Sequence, residues 1–436
     1  MAARSFQLDL RGLWVALATG TMFWAGCRGA VEPPAEPRIV LVTLDTLRWD
    51  AFEESMPRTV EWAGAGLVFD RHLAATTTTQ PTHASLFTGL HPWEHGVTRN
   101  GLILAETHTT LAERLREAGY RTGAVVASFP LHSAFGWAQG FDAYVDEFDR
   151  AESESWNGVV VPDGNFYSLA RETTDRALAL LDDLGPGPQF LWVHYYDPHS
   201  PYGDAYEASV LPLSEIYGRI EQAPETAEAL LEQARERYRG DVAFLDEQLA
   251  RLFRELEADE ERATHVLLAV DHGESFGEGG ALGHGKGLGD EQIEVPFVVR
   301  SPDVTPGRNH VVNGSVDVFA VVLSLAGLES HTGGRDVTRF LDGGETRGMR
   351  RTFETPFREV RADGSVRRVQ ANEFYRATSA GIARGNAEAI SGARTVEGFD
   401  AREVFAQWEA ALATAPTVEL DDPEALRAME ALGYAR

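Results

Sequence analysis

Several continuous apolar runs of strand length punctuate the chain, at Ile39 to Leu44, Thr122 to Ala127, Phe190 to Tyr195, His265 to Val270 and Pro296 to Val299. Runs without polar alternation fit strands buried on both faces, so they predict the interior parallel strands of a sheet. Helical periods lie between them. Thr110 and Glu113 form a capping box, Leu111 and Leu115 point inward, and Gly119 supplies the stop. Val242, Leu245, Leu249, Leu252, Phe253 and Leu256 share one stripe of a long helix running from Tyr238, with Glu and Arg on its other faces. A further amphipathic helix spans Asp317 to Leu325 and stops at Gly327. Strands alternating with helices predict an α/β fold whose sheet is covered by helices on both faces.

After Gly333 the pattern shortens. Val360 to Ala362 and Val366 to Gln370, split by Asp363-Gly364, predict an antiparallel hairpin. Residues 334–436 are therefore read as a smaller α+β subdomain ending in a helix from about Asp422, and residues 38–333 as the main domain.

The first residues belong to neither. Arg4 and Arg11 precede an apolar run from Leu13 to Phe23, and Ala25-Gly26 precede Cys27, the only cysteine. That order predicts an export signal over 1–27, not a spanning helix. It resembles the bacterial lipobox, which implies diacylation of Cys27 and a membrane partner through that lipid anchor; a plain secretory peptide would leave export unchanged. The proline-rich segment 28–37 reads as a tether. The expected location is the bacterial cell envelope, facing the periplasm or on the outer surface.

Composition narrows the function classes. With 436 residues, 43% hydrophobic and 24% charged, the chain is ordinary globular material. A formal net charge of −28 repels phosphodiester backbones and anionic headgroups, which argues against nucleic-acid partners. An anionic small-molecule substrate requires a local positive centre, and a metal supplies one. One cysteine leaves oxygen and imidazole as its ligands.

In open α/β sheets ligands bind beyond the carboxyl ends of the strands. Asp45 follows the first run, Asp197 and His199 follow the third, Asp271 and His272 follow the fourth, and His284 lies in the glycine-rich loop after that. Each one singly is an ordinary cap or surface residue; four in succession are better explained by a metal centre. The segment Thr79-Gln80-Pro81-Thr82-His83 reads as a helix start, with Pro81 in the first turn and the Thr79 hydroxyl at the positive helix end.

Residues 38 to about 102, with Val270-Asp271-His272-Gly273-Glu274, Gly283-His284-Gly285-Lys286 and Val295-Pro296, resemble the sulfatase and alkaline phosphatase superfamily over roughly 38–330. The resemblance implies an alkaline-phosphatase-like sheet, a first metal held by Asp45, Asp271 and His272, and Thr79 as the nucleophile and a further metal ligand. Sulfatases carry a cysteine, oxidised to formylglycine, where this chain has Thr79, and an arginine where it has His83. The segment extended to Asn100 is similar instead to nucleotide pyrophosphatase/phosphodiesterases, which use threonine directly and place an asparagine on a phosphoryl oxygen. Tandem aspartates of the sulfatase motif are here Asp45-Thr46, and the usual asparagine is His272.

Such a donor set suits zinc or manganese better than calcium. Asp197 and His284 are candidates for a second metal, and Lys286 or His199 for meeting the leaving oxygen. The expectation is hydrolysis of phosphate diesters or phosphonates through a covalent Thr79 ester. Two alternatives stand beside it: a sulfuric ester hydrolase using unmodified Thr79, and an inactive binding lipoprotein. Trp137, Trp156 and Phe166, in long loops, are candidates to stack on a substrate ring, although packing is the commoner role of such residues.

Overall fold

The computed structural model describes residues 37–338, apart from 152–154, 157–158, 162–163, 207–209, 261 and 286. Beyond these it describes 345–350, 357–363, 365–369, 373–378, 381–386, 407, 410, 411 and 413–416. The signal and tether through residue 36 and the helix expected from Asp422 lie outside the described residues.

Eight strands form the main sheet: β1 (Arg38–Leu44), β2 (Leu67–Phe69), β3 (Arg121–Val125), β4 (Ala143–Val145), β5 (Gln189–Tyr195), β6 (Thr264–Val270), β7 (Phe297–Arg300) and β8 (Gly307–Asn309). Their spatial order is β8-β2-β7-β6-β1-β5-β3-β4. β1 is central and pairs in parallel with β5 and β6, so that Leu44 stands opposite both Tyr195 and Val270. This register brings the residues that follow the three strands to one edge. Two backbone bonds continue the ladders past it, Asp45 N–H to Tyr195 O at 3.0 Å and Asp271 N–H to Leu44 O at 3.2 Å.

β7, the apolar run expected as a parallel strand, is antiparallel to both β6 and β2. A strand buried on both faces is apolar whichever way it runs, so hydrophobicity carries no record of direction.

Helices cover both faces because alternate residues of each strand point to opposite sides. Val40, Val42 and Leu44 pack with Ala177, Leu180 and Leu181 of α3 (Ala170–Asp183) and Val242, Leu245 and Leu249 of α4 (Ala227–Glu257). Ile39 and Leu41 pack with Leu86 and Phe87 of α1 (Thr79–Thr88), Leu111 and Leu115 of α2 (Leu111–Glu117), and Val318 and Phe319 of α5 (Ser315–Leu325). The capping box of α2 is formed, with Glu113 N–H on Thr110 Oγ1 and Thr110 N–H on Glu113 Oε2. α4 begins at Ala227, a full eleven residues before the expected Tyr238, and buries Leu230, Leu231 and Ala234 on the same stripe.

Beyond the main sheet, the hairpin expected around Asp363-Gly364 pairs Phe357–Val360 with Val366–Val369. A separate three-stranded antiparallel sheet joins Glu345–Arg350, Glu373–Thr378 and Gly381–Asn386.

Candidate metal centre and nucleophile

Asp45, Asp271 and His272 meet at the carboxyl edge of β1 and β6, with one ligand atom from each lying within 4.8 Å of the others. All three are buried. His272 Nε2 lies 3.8 Å from Asp45 Oδ1 and 3.5 Å from Asp271 Oδ2. The backbone fixes the outer atoms: Asp271 Oδ1 accepts the His272 N–H at 2.7 Å and the Thr46 N–H at 3.3 Å, leaving Oδ2 free. His272 Nδ1 bonds the Gly273 carbonyl at 3.1 Å, so Nδ1 carries the proton and Nε2 keeps its lone pair.

The orphaned atoms are the test of fit. Asp45 Oδ1 and Oδ2, Thr46 Oγ1, His194 Nε2, Asp271 Oδ2 and His272 Nε2 are all buried without a hydrogen-bond partner. Buried polar atoms are ordinarily satisfied, and the orphaned acceptors of the group, one oxygen each of Asp45 and Asp271 with His272 Nε2, fit a cation held between them. Burial pushes both carboxyls well above the usual range, with Asp271 and Glu274 adding repulsion at Asp45. Burial likewise drives His272 well below its ordinary value. A divalent cation selects ionised carboxylates and neutral imidazole, and two carboxylates with one imidazole fit it.

Thr46 follows Asp45, donates its N–H to Asp271 Oδ1, and is itself constrained. Its φ is +53°, a left-handed conformation costly for a β-branched residue. Tyr238 Oη donates to its carbonyl at 2.9 Å, and with the Thr46 N–H bond to Asp271 this holds the turn.

Thr79 opens α1, with Thr78 as the cap, and is 2% exposed. Its hydroxyl makes no hydrogen bond to a described residue. The next amide, Gln80 N–H, is taken by Asn100 Oδ1 at 3.0 Å, which ties Asn100 to the first turn and leaves its Nδ2 as the outward donor. At the far end Gly89 has φ +66°, and a Cβ there would stand 2.3 Å from Thr332 Oγ1. His83 lies beneath the nucleophile. Its Nδ1 bonds the Thr79 carbonyl at 2.9 Å, and its Nε2 accepts from Thr43 Oγ1 at 3.1 Å, which in turn accepts from Trp192 Nε1. Burial lowers its pKa to about 4, so it acts as a neutral brace.

His199 and His284 border the metal group without joining it. His199 stacks on Tyr196 at 4.4 Å and meets His284 edge-on at 4.9 Å, while the His284 and His272 rings are 4.5 Å apart. His199 Nδ1 bonds Ser200 O, so in its neutral ring Nε2 is the free acceptor, and His284 Nδ1 bonds Glu274 Oε1 at 3.1 Å. Burial, followed by repulsion from His284, lowers the His199 pKa to about 4.

Asp197 stands apart. The Ala170 N–H at the head of α3 bonds its carboxylate, and its charged neighbours are Glu172 and Asp204, with Asp241 beyond. Burial raises its pKa from 3.8 to about 7. A raised carboxyl means the folded state holds its proton over a window where the unfolded state has lost it, so stability falls as pH rises from about 4 to about 7. The advantage of Asp197→Asn over wild type in metal-free protein is therefore expected to grow by about 2–3 kcal/mol between about pH 5 and about pH 8, measured by urea unfolding. A gain independent of pH would contradict the assignment.

Lys286 lies outside the described residues. Its neighbours do not: Gly287 O accepts from Thr77 Oγ1 at 3.1 Å, and a Cβ on Gly285 would stand 3.0 Å from Thr78 Cγ2. The loop thus lies against the two residues preceding Thr79. Of the loop aromatics, Trp137 is 2% exposed and bonds Pro130 O, and Phe166 packs on Phe129 and Tyr196, so both are anchors; the Trp156 side chain is outside the described residues. His194, the penultimate residue of β5, was not foreshadowed by the sequence, yet its Nε2 lies 3.7 Å from Asp45 Oδ2. The only signal was a histidine inside an otherwise apolar run.

Comparison with known proteins identifies the family and the fold. The family model described as Sulfatase matches residues 37–328. The multifunctional alkaline phosphatase superfamily protein PehA of Trinickia caryophylli is 24% identical over 390 residues, covering 71% of this chain and 76% of its own length. An ulvan-active sulfatase of Formosa agariphila is 25% identical over 338 residues, covering 69% of this chain and 63% of that protein. Among solved structures, a phosphonate monoester hydrolase from Silicibacter pomeroyi superposes with a TM-score of 0.58 at 18% identity, over 80% of this chain and 88% of that one.

Proposed function

Because this chain belongs to the sulfatase family, and is a metal-dependent ester hydrolase of the alkaline phosphatase superfamily, we propose that it cleaves phosphate diesters or phosphonate monoesters through a covalent ester on Thr79. The observation that carries this reading is the residue at the head of α1. It is a threonine, in a chain whose only cysteine is Cys27, so no formylglycine can form there. The unmodified Thr79 hydroxyl is the nucleophile of this reading.

Asp45, Asp271 and His272 would hold the cation, zinc or manganese, with Thr79 completing the set. When bound, the cation supplies positive charge that makes the Thr79 hydroxyl more acidic and offsets charge on an ester oxygen. The Thr79 hydroxyl gives its proton to solvent water, its oxygen attacks phosphorus in line, a Thr79 O–P bond forms, and the bond to the leaving oxygen breaks. The ammonium of Lys286 protonates that leaving oxygen. Lys286 is the only lysine among 39 basic residues, and both flanking glycines touch the chain leading into Thr79. Asn100 Nδ2 donates to a phosphoryl oxygen, its orientation set by the bond from Gln80 N–H to Oδ1. His199, held neutral with Nε2 as acceptor, takes the proton of the water that releases the product.

The same reading puts the protein at a bacterial cell envelope through a lipid on Cys27. No helix among the described residues is long and apolar enough to cross a membrane.

The test compares kcat/KM for an aryl phosphodiester, an aryl phosphonate monoester and the matching aryl sulfate, with zinc, manganese and calcium supplied in turn. The phosphorus esters are expected to be favoured by at least about tenfold, roughly 1.4 kcal/mol in transition-state binding. Preference for the sulfate with calcium would establish the sulfatase reading instead.

A further inference from the structure

His194 is wholly buried on β5, paired across the sheet with Thr43 of β1, and packed edge-on against His83 at 5.2 Å. Its two ring nitrogens have different surroundings. Nδ1 faces the Ala127 N–H at 3.4 Å, just past the end of β3. That amide has no other acceptor among the described residues, so Nδ1 must accept and the neutral ring carries its proton on Nε2. Nε2–H is thus a buried donor without a partner, and 3.7 Å away lies Asp45 Oδ2, a buried acceptor without one. Less than about 1 Å of side-chain movement closes that gap to a hydrogen bond.

We propose that His194 is a positioning residue for the metal centre, donating from Nε2 to Asp45 Oδ2 and thereby turning Oδ1 toward the cation. The two oxygens of Asp45 divide accordingly, since Oδ1 lies on the His272 side at 3.8 Å and Oδ2 on the His194 side. A bonded Oδ2 fixes the carboxylate plane and favours ligation through one oxygen. His194 is not itself a ligand, because a protonated Nε2 has no lone pair to give. The inference rests on the metal reading of Asp45, Asp271 and His272 proposed above.

Two substitutions separate the ring's two contacts. His194→Asn keeps an acceptor for Ala127 N–H but removes the donor, whereas His194→Gln extends an amide N–H to about the position of Nε2. Zinc affinity and stoichiometry of the metal-free proteins are read by competition with a chromophoric chelator, and folding separately by thermal denaturation. His194→Asn is expected to bind one equivalent about 10–100-fold more weakly than wild type, and His194→Gln to recover most of the loss. Wild-type affinity in His194→Asn, or no rescue by Gln, would overturn the role. So would loss of the whole equivalent, as in Asp45→Ala, which would make His194 a ligand. Absence of zinc binding by the wild type would overturn the metal reading and this inference together. A second measurement needs no variant: in zinc-loaded protein with ¹⁵N-labelled histidine, His194 Nε2 is expected to stay protonated, and its deprotonation would overturn the proposal.

Discussion

Thr79→Ala is expected to lower kcat by at least about three orders of magnitude while leaving the melting temperature within about 2 °C, because the change removes the attacking oxygen at a position where alanine is a good helix residue. Thr79→Ser keeps the hydroxyl at the same first-turn position and is expected to retain activity within about 100-fold. The loss of the methyl costs order at χ1 and not chemistry. The comparison is made by kcat and kcat/KM on the preferred phosphorus ester. Activity surviving in Thr79→Ala would mean that water is activated directly and that Thr79 only caps α1.

The second large effect concerns the metal group. Asp45 and Asp271 are two buried carboxyls that repel each other in the metal-free fold, so a cation both enables chemistry and stabilises the protein. At a concentration about 100 times its dissociation constant, zinc is expected to add about 2.7 kcal/mol, or about 3 °C in melting temperature for a chain of this size. Asp271→Asn preserves the acceptor Oδ1 for the Thr46 and His272 amides but removes one negative ligand. It is expected to fold, to lose the bound equivalent and activity together, and to show no zinc-induced shift. One equivalent of metal retained in that variant would take Asp271 out of the site.

The sequence makes the ends of the central strands legible, because a chemistry-bearing residue directly after a buried apolar run can project only from the sheet edge. Asp45 and the Asp271-His272 pair meet for that reason, and Leu44 aligned with Val270 supplies the register. The turn after β5 is less readable. Asp197 and His199 are two residues apart, yet Asp197 turns to the free amide at the head of α3 while His199 stacks beside His284. Spacing cannot tell which of two polar residues in a turn will be claimed by a helix end. His194 was hidden for the opposite reason: within an apolar strand, a histidine reads as one more buried ring until its two nitrogens are traced to Ala127 and Asp45. The direction of β7 and the early start of α4 at Ala227 were likewise beyond pattern reading, since both depend on which elements pack alongside.

The central claim is a covalent ester on Thr79, and the most direct measurement is to trap it. An aryl phosphodiester or phosphonate monoester is mixed with metal-loaded protein, quenched in acid within the first turnover, and digested with trypsin. Cleavage after Arg71 and Arg99 releases the peptide 72–99 that contains Thr79. A phosphoryl or phosphonyl adduct is expected on that peptide, mapped to Thr79 by fragmentation and absent from Thr79→Ala. Full turnover with no adduct at any quench time, or an adduct mapped to another residue, would contradict the claim.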